Sequence, residues 1–324
     1  MKLDTKAFKR ALMPAGIGMV ALLSGCDQLH ILNPQGYVGV HERNLILTAF
    51  IAMLCVVIPV IILTLAFAWH YRESNTSATY APKWADSNAI EAVIWVVPIV
   101  LIVILAVLAW ITSYSLDPYK PLPAEATRIK NGPVTNAQPI DIDVVALNWK
   151  WLFIYPEQGI ATINEMAVPA GTPVNFHITS DSVLNSFFIP SLGSQVYAMA
   201  GMQTRLHLVA NTPGTYDGTT NNFSGPGYAD MKFKAIATAT PQDFNAWVAK
   251  VKASSTPLSM DEYAAVSKYD LDKYNSDVAS VVPKKAPVQY FSSVDPKLFQ
   301  NIIAKYNNGN FRDFRDDACD STKG

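Results

Sequence analysis

Two long apolar runs constrain this chain more than any other feature. Leu45 to Trp69 would span about 38 Å as a helix, at 1.5 Å per residue. Glu91 to Ile111 would reach about 30 Å on the same rise. The hydrocarbon core of a bilayer is about 30 Å thick, so each run can cross it. Pro59 and Pro98 interrupt the runs, which membrane helices tolerate where neighbouring groups take up the freed carbonyl. Trp69 and Tyr71 close the first run, and Trp110 and Tyr114 the second, where amphipathic rings favour the headgroup level. The expectation is a hairpin of transmembrane helices at 45–69 and 91–111.

The segment before the hairpin reads as a targeting sequence. "MKLDTKAFKR" supplies Lys2, Lys6, Lys9 and Arg10, and a short apolar stretch follows from Ala11 to Leu23, broken by Pro14 and Gly16. That is the layout of a secretory signal, covering 1–25. It ends in Leu23-Ser24-Gly25-Cys26, which resembles a bacterial lipobox, so Cys26 is expected to carry diacylglycerol and to start the mature chain. A plain buried cysteine in a membrane anchor is the alternative. Processing outside the cytoplasmic membrane makes 26–44 extracytoplasmic, 70–90 a cytoplasmic loop, and everything after Ile111 extracytoplasmic. Arg72 and Lys83 in the loop are too few for the positive-inside rule to decide orientation. Cys55 lies within the first run, where it reads as an inert buried thiol, and Cys319 is alone near the end, so no disulfide framework is expected. Net charge is −1, which gives no electrostatic basis for nucleic-acid binding.

Beyond a Pro-rich linker at 112–139 the periodicity changes to that of strands. "IDIDVVAL" places Ile140, Ile142 and Val144 on one face. "PVNFHITS", "TRLHLVA" and "DMKFKAIA" alternate likewise, with Gly, Pro and Asn clusters between them. Short strands at this spacing predict a sandwich or Greek-key barrel over 140–239. His177 and His207 fall on polar strand faces and read as surface residues. After Thr240, "PQDFNAWVAKVKA", "SMDEYAAVSK" and "DPKLFQNIIAKY" have helical spacing. Residues 240–324 are therefore a helical C-terminal region with a polar, disordered tail.

The order of segments, together with "WKWLFIYPEQ", "VLNSFFIPSLGSQ", "AMAGMQTRLHL" and "FSGPGYADMKFKAIA", resembles subunit II of haem–copper terminal oxidases. It is most similar to the cytochrome bo-type ubiquinol oxidase branch. The resemblance implies a cupredoxin-like, all-β Greek-key domain outside the membrane. In cytochrome c-oxidising relatives that domain holds a binuclear copper centre on His, Cys, Cys, His and Met side chains and a Glu carbonyl. Bridging thiolates and imidazoles make a soft site suited to such a copper pair. Here the matching positions are Asn185, Phe223, Gly225, Gly227, Met231 and Lys234, so the cradle is expected to be vestigial and this chain to hold no metal or other cofactor. The resemblance places two haems and one copper in a partner subunit I and makes ubiquinol the substrate of the complex. Trp149, Trp151, Phe187 and Phe188 are expected at a subunit interface or in the domain core. Asp27 after the lipidated cysteine resembles an inner-membrane retention signal.

Glu91 stands at the start of the second run. A carboxylate beside a bilayer is costly unless it faces protein or water. It could equally mark the interface or stabilise a helix N-terminus. Oxidase relatives carry a Glu seven residues before the proline of the second span, at the mouth of a proton path. Glu91 has that relation to Pro98, although the intervening Trp is displaced by one place. The resemblance thus implies proton uptake at Glu91. The competing readings are a copper-bearing cytochrome c oxidase subunit and a free-standing cupredoxin-like lipoprotein.

Overall fold

The computed structural model describes residues 30–79, 84–130, 132–135, 137–181, 183–225, 227–268 and 286–307. The signal sequence, Cys26, Asp27, Cys319 and the polar tail lie outside the described residues. The chain divides into two compact units, one made of residues up to Val40 and from Pro118 onward, the other of His41–Asp117.

The smaller unit is built on two helices. α1 runs Tyr37–His70 and α2 runs Asn88–Ser115. Their most apolar windows have mean hydropathy 3.1 and 3.2, and both are long and apolar enough to cross a membrane. Large apolar side chains such as Phe50, Ile61, Leu65, Ile94 and Ile102 point outward, and no residue of α2 is buried. Apolar groups facing outward all round a helix are the pattern of a chain whose solvent is lipid. α1 takes in Tyr37–Asn44 ahead of the apolar run, because nothing in that stretch breaks a helix. Cys55 lies on a face of α1 that no described element covers. At the end of α1 the Arg72 guanidinium lies 4.3 Å from the centre of the Trp69 ring.

The larger unit is a sandwich of two sheets. One has the order β11-β3-β2-β1-β5-β8 and the other β4-β10-β9-β6-β7. The strands are β1 Ile140–Leu147, β2 Lys150–Tyr155, β3 Ile160–Ile163, β4 Glu165–Pro169, β5 Pro173–Ser180 and β6 Asn185–Phe188. β7 Gln195–Ala198, β8 Thr204–Val209, β9 Gly214–Thr219, β10 Lys232–Thr238 and β11 Gln289–Phe291 complete it. β1 pairs parallel with β5 and β4 parallel with β10, and the remaining strand pairs are antiparallel.

An aromatic cluster fills the space between the sheets. Phe187 and Phe233 stack at 5.1 Å and 7°, with Trp151 edge-on to Phe187 at 5.3 Å and Phe153 at 5.0 Å from Phe233. Such pairs add about 0.5–1.5 kcal/mol beyond the area they bury. Gly218 faces Phe233 across the β9–β10 ladder. A Cβ there would fall 2.0 Å from the Phe233 ring, so the absent side chain is what lets the ring lie flat.

Among the described residues the helices of the C-terminal part are α3 Pro241–Lys252, α4 Met260–Ser267 and α5 Leu298–Ala304. α3 begins with a reciprocal capping box, in which the Thr240 hydroxyl accepts from the Asp243 amide and the Asp243 carboxylate accepts from the Thr240 amide. Phe244, Trp247, Val248 and Val251 form its buried face. α4 and α5 build a second apolar core on the outer side of the first sheet, where Leu258, Tyr263, Leu298, Phe299, Ile302 and Ile303 join Val145, Leu147, Leu152 and Ile154.

Candidate functional site

The sequence points to the end of the sandwich where β6 begins. Asn185 opens β6, pairs with Ala198 of β7 and is 1% exposed. Its amide nitrogen donates to the Val183 carbonyl at 2.9 Å, while its Oδ1 is buried with no hydrogen-bond partner among the described residues. Opposite lies the segment 220–231. Phe223 is 74% exposed and edge-on to Tyr228 at 5.0 Å. Gly225 has φ +107°, a backbone conformation open chiefly to glycine. A turn at Tyr228–Asp230 leads to Met231, which is fully buried in the core. Lys234 points outward and pairs with Asp217 at 2.5 Å. Both are solvent-exposed, so the pair contributes little.

Trp149 closes this end. The connection Asn148–Trp149 joins β1 to β2 and puts Trp149 at φ +57°, uncommon for a bulky residue. The indole lies against the glycines, and its Nε1 donates to the Ser224 carbonyl at 2.9 Å. A Cβ on Gly227 would sit 2.2 Å from the indole ring, and one on Gly225 3.1 Å from it. The ring therefore occupies space that a cysteine side chain at 227 would need.

The donor set therefore does not fit a copper pair. It offers an amide, a phenyl ring, two glycines, a core thioether and an exposed ammonium, and none of these replaces a thiolate. Among the described residues no group of three or more His, Cys, Asp or Glu could hold a metal ion.

The four aromatic interface candidates separate. Trp151 and Phe187 are 0% exposed, which corrects their interface reading: they are pillars of the inter-sheet cluster and cannot reach a partner. Trp149 and Phe188 are half-buried. The apolar groups that do face outward near this end are Val183, Leu184, Tyr197, Met202 and Phe223. Their signal is present in the sequence as apolar residues set among Ser, Asn and Gly, but it resembles ordinary strand ends. Glu91 lies exposed in the first turn of α2, its amide bonded to the Ser87 carbonyl.

The loop Ile189–Ser194 holds the start of α1. The Ser191 carbonyl accepts from the Gln35 amide at 2.6 Å and the Leu192 carbonyl from the Gly39 amide at 2.9 Å. Gly36 and Gly39 permit this approach, since a Cβ on either would come within 3.1 Å of the Leu192 carbonyl oxygen. The loop thus grips the chain just as it enters α1.

His177 and His207 are half-buried rather than surface groups. His177 Nδ1 lies 3.1 Å from Asp143, and His207 Nδ1 lies 2.8 Å from the Pro118 carbonyl. Burial is the largest influence on His207 and lowers its pKa.

A two-sheet domain in one chain with two helices apolar enough to cross a membrane is the class of architecture the structure defines. Residues 134–237 match the family model "Cytochrome C oxidase subunit II, periplasmic domain", and residues 282–310 match "COX Aromatic Rich Motif". The chain is 51% identical to ubiquinol oxidase subunit 2 of Acetobacter aceti over 95% of this chain and 92% of that protein. It is 54% identical to cytochrome bo(3) ubiquinol oxidase subunit 2 of Pseudomonas aeruginosa over 88% and 78%, and 34% identical to quinol oxidase subunit 2 of Bacillus anthracis over 81% and 87%. A solved periplasmic domain of subunit II of cytochrome oxidase from Bradyrhizobium japonicum aligns with 34% of this chain and 91% of its own length, at 21% identity and TM-score 0.33. The chain belongs to the ubiquinol oxidase subunit II family.

Proposed function

We propose that the chain serves as the non-catalytic second subunit of a proton-translocating ubiquinol oxidase in the bacterial cytoplasmic membrane. The complex oxidises ubiquinol within the bilayer and reduces oxygen to water, with its two haems and copper in subunit I. This chain anchors and caps subunit I through α1, α2 and the outer domain, with a diacylated Cys26 as a further tether. The observation that carries the reading is the cradle itself: the residues there offer no thiolate or imidazole, and the Trp149 ring fills the space a side chain at 227 would need. A quinol delivers electrons from the lipid phase, so an extramembrane electron port is unnecessary. The outward Val183, Leu184, Tyr197, Met202 and Phe223 suit a protein partner better than water.

Glu91 acts in this reading as a proton-collecting carboxylate at the cytoplasmic start of α2 rather than as a catalytic acid. The test is turnover of the detergent-purified complex with ubiquinol or reduced cytochrome c as donor. Ubiquinol is expected to support oxygen uptake and cytochrome c to fail; the reverse would overturn the assignment. Glu91→Ala is expected to assemble with normal haem content and turn over more slowly, with Glu91→Asp retaining part of the rate. A wild-type rate for Glu91→Ala across the working pH range would leave Glu91 an interface marker only.

A further inference from the structure

The C-terminal region reaches back to the same end of the sandwich. Asp181 begins the loop between β5 and β6, four residues before Asn185, and its side chain is 3% exposed. A carboxylate buried that deeply needs donors, and among the described residues its side-chain partners come from the C-terminal region. Tyr263 of α4 donates its hydroxyl to Oδ2 at 2.6 Å. Lys305 and Tyr306, just after α5, reach Oδ1 at 2.7 and 3.0 Å, and the Tyr306 hydroxyl also lies 2.8 Å from the Asp181 carbonyl. Asn307 then donates to the Gly201 carbonyl at 2.6 Å, in the loop between β7 and β8. Gly201 has φ +74°, and a Cβ there would meet Asn307 at 2.9 Å, so the approach depends on glycine. The end of β5, which leads into the first loop, also meets the second, through the Ser180–Ala200 bridge and the Thr179 hydroxyl on the Met199 carbonyl at 3.2 Å.

We propose that α4, through Tyr263, and the stretch 298–307 together form a strap that fixes the loops carrying residues 183–184 and 199–203 in place, with Asp181 as the buckle. These loops carry Val183, Leu184 and Met202 and flank Asn185. The strap therefore presets the surface around the cradle before any partner arrives, without metal. α5 supplies the rigid support, since Leu298, Phe299, Ile302 and Ile303 are buried against the first sheet. The family match over 282–310 covers the second of these two pieces. Within that aromatic-rich stretch the roles divide, Tyr306 serving the loops and Phe299 the core.

Hydrogen–deuterium exchange on the full-length subunit in the purified oxidase tests the strap. Tyr263→Phe with Tyr306→Phe removes two hydroxyl donors while keeping both rings, so the second core stays packed. Hydrogen bonds to a charged group sustain roughly tenfold or more in an opening equilibrium. Exchange in peptides spanning 181–186 and 198–203 is expected to rise by about that factor, with β1 unchanged. Asp181→Asn should fall between wild type and the double variant, because its amide oxygen still accepts. Unchanged exchange in both loops would overturn the proposal, as would an equal rise in β1, which would reveal general destabilisation instead.

Discussion

The two halves of the outward face of β1 lie on one strand yet differ in what covers them. Asp141 and Asp143 face outward first, held by Asn175 at 2.8 Å and His177 at 3.1 Å. They line a polar cleft of about 230 Å³ with Arg205, Gln203 and Gln300. Val145 and Leu147 follow on the same face and are buried under the C-terminal helices. All the while Ile140, Ile142, Val144 and Ala146 point into the inter-sheet core. A strand covered on one face alternates, and a strand covered on both reads as continuously apolar. "IDID" therefore marks the part that meets water, and "VVAL" the part that meets an added layer.

The sharpest test of this difference separates the two cores. Phe233→Ala removes a ring that touches Trp151, Phe153 and Phe187, and a buried Phe→Ala change costs about 3–5 kcal/mol. It should lower exchange protection in both sheets together. Ile303→Ala opens the outer core and should cost about 2 kcal/mol, the low end for such truncations, because the C-terminal layer can lift locally. Its effect should be confined to β2, β3, β11 and α5. Exchange mapping of the full subunit checks both, and a global loss in Ile303→Ala would show that the two cores are one cooperative unit.

The next effect is smaller and concerns the cradle. Gly227→Cys drives a side chain into the Trp149 ring and should destabilise by about 1–3 kcal/mol, the usual cost of overpacking. Trp149→Ala in the same chain should recover part of that loss, because contacting residues couple by about 0.5–3 kcal/mol. Urea midpoints of the four chains in the cycle measure the coupling. Additive effects would mean that the indole does not block the position. The cycle also asks whether the cradle behaves like the inter-sheet core, held by its own packing.

Much of this architecture is legible because period and composition encode it directly. The apolar runs, the strands from Ile140, Pro173 and Thr204, and the helix after Pro241 all announce themselves by spacing. What stays hidden depends on contacts across long stretches of chain. Nothing local says that Trp151 and Phe187 are pillars, while Trp149, two residues before Trp151, covers glycines near 225. Asp181 reads as a loop residue because its donors come from residues 263, 305 and 306. The grip of Leu192 on Gly39 joins segments about 150 residues apart in the chain, which no periodicity can reveal.

The smallest predicted effect belongs to the polar half of the comparison. Burial holds the His207 pKa below its ordinary value, and His177 and Arg205 push the same way, against the Pro118 carbonyl and Asp141. The folded state thus disfavours the imidazolium relative to the unfolded chain. Above the unfolded value of about 6.5 the ring is neutral in both states and the contribution to stability is complete. As pH falls through that value the unfolded chain binds the proton first, and stability declines until the folded ring is protonated too. His207→Gln keeps a donor for the Pro118 carbonyl but cannot titrate, so it should flatten the decline of the urea midpoint below about pH 6.5. Leu147→Ala, on the apolar half, should lower the midpoint by the same amount on both sides of that pH, since no proton is linked to its burial. Parallel pH slopes for wild type and His207→Gln would remove His207 as the cause. A steeper slope in Leu147→Ala would instead show that the two halves of the β1 face respond to pH as one.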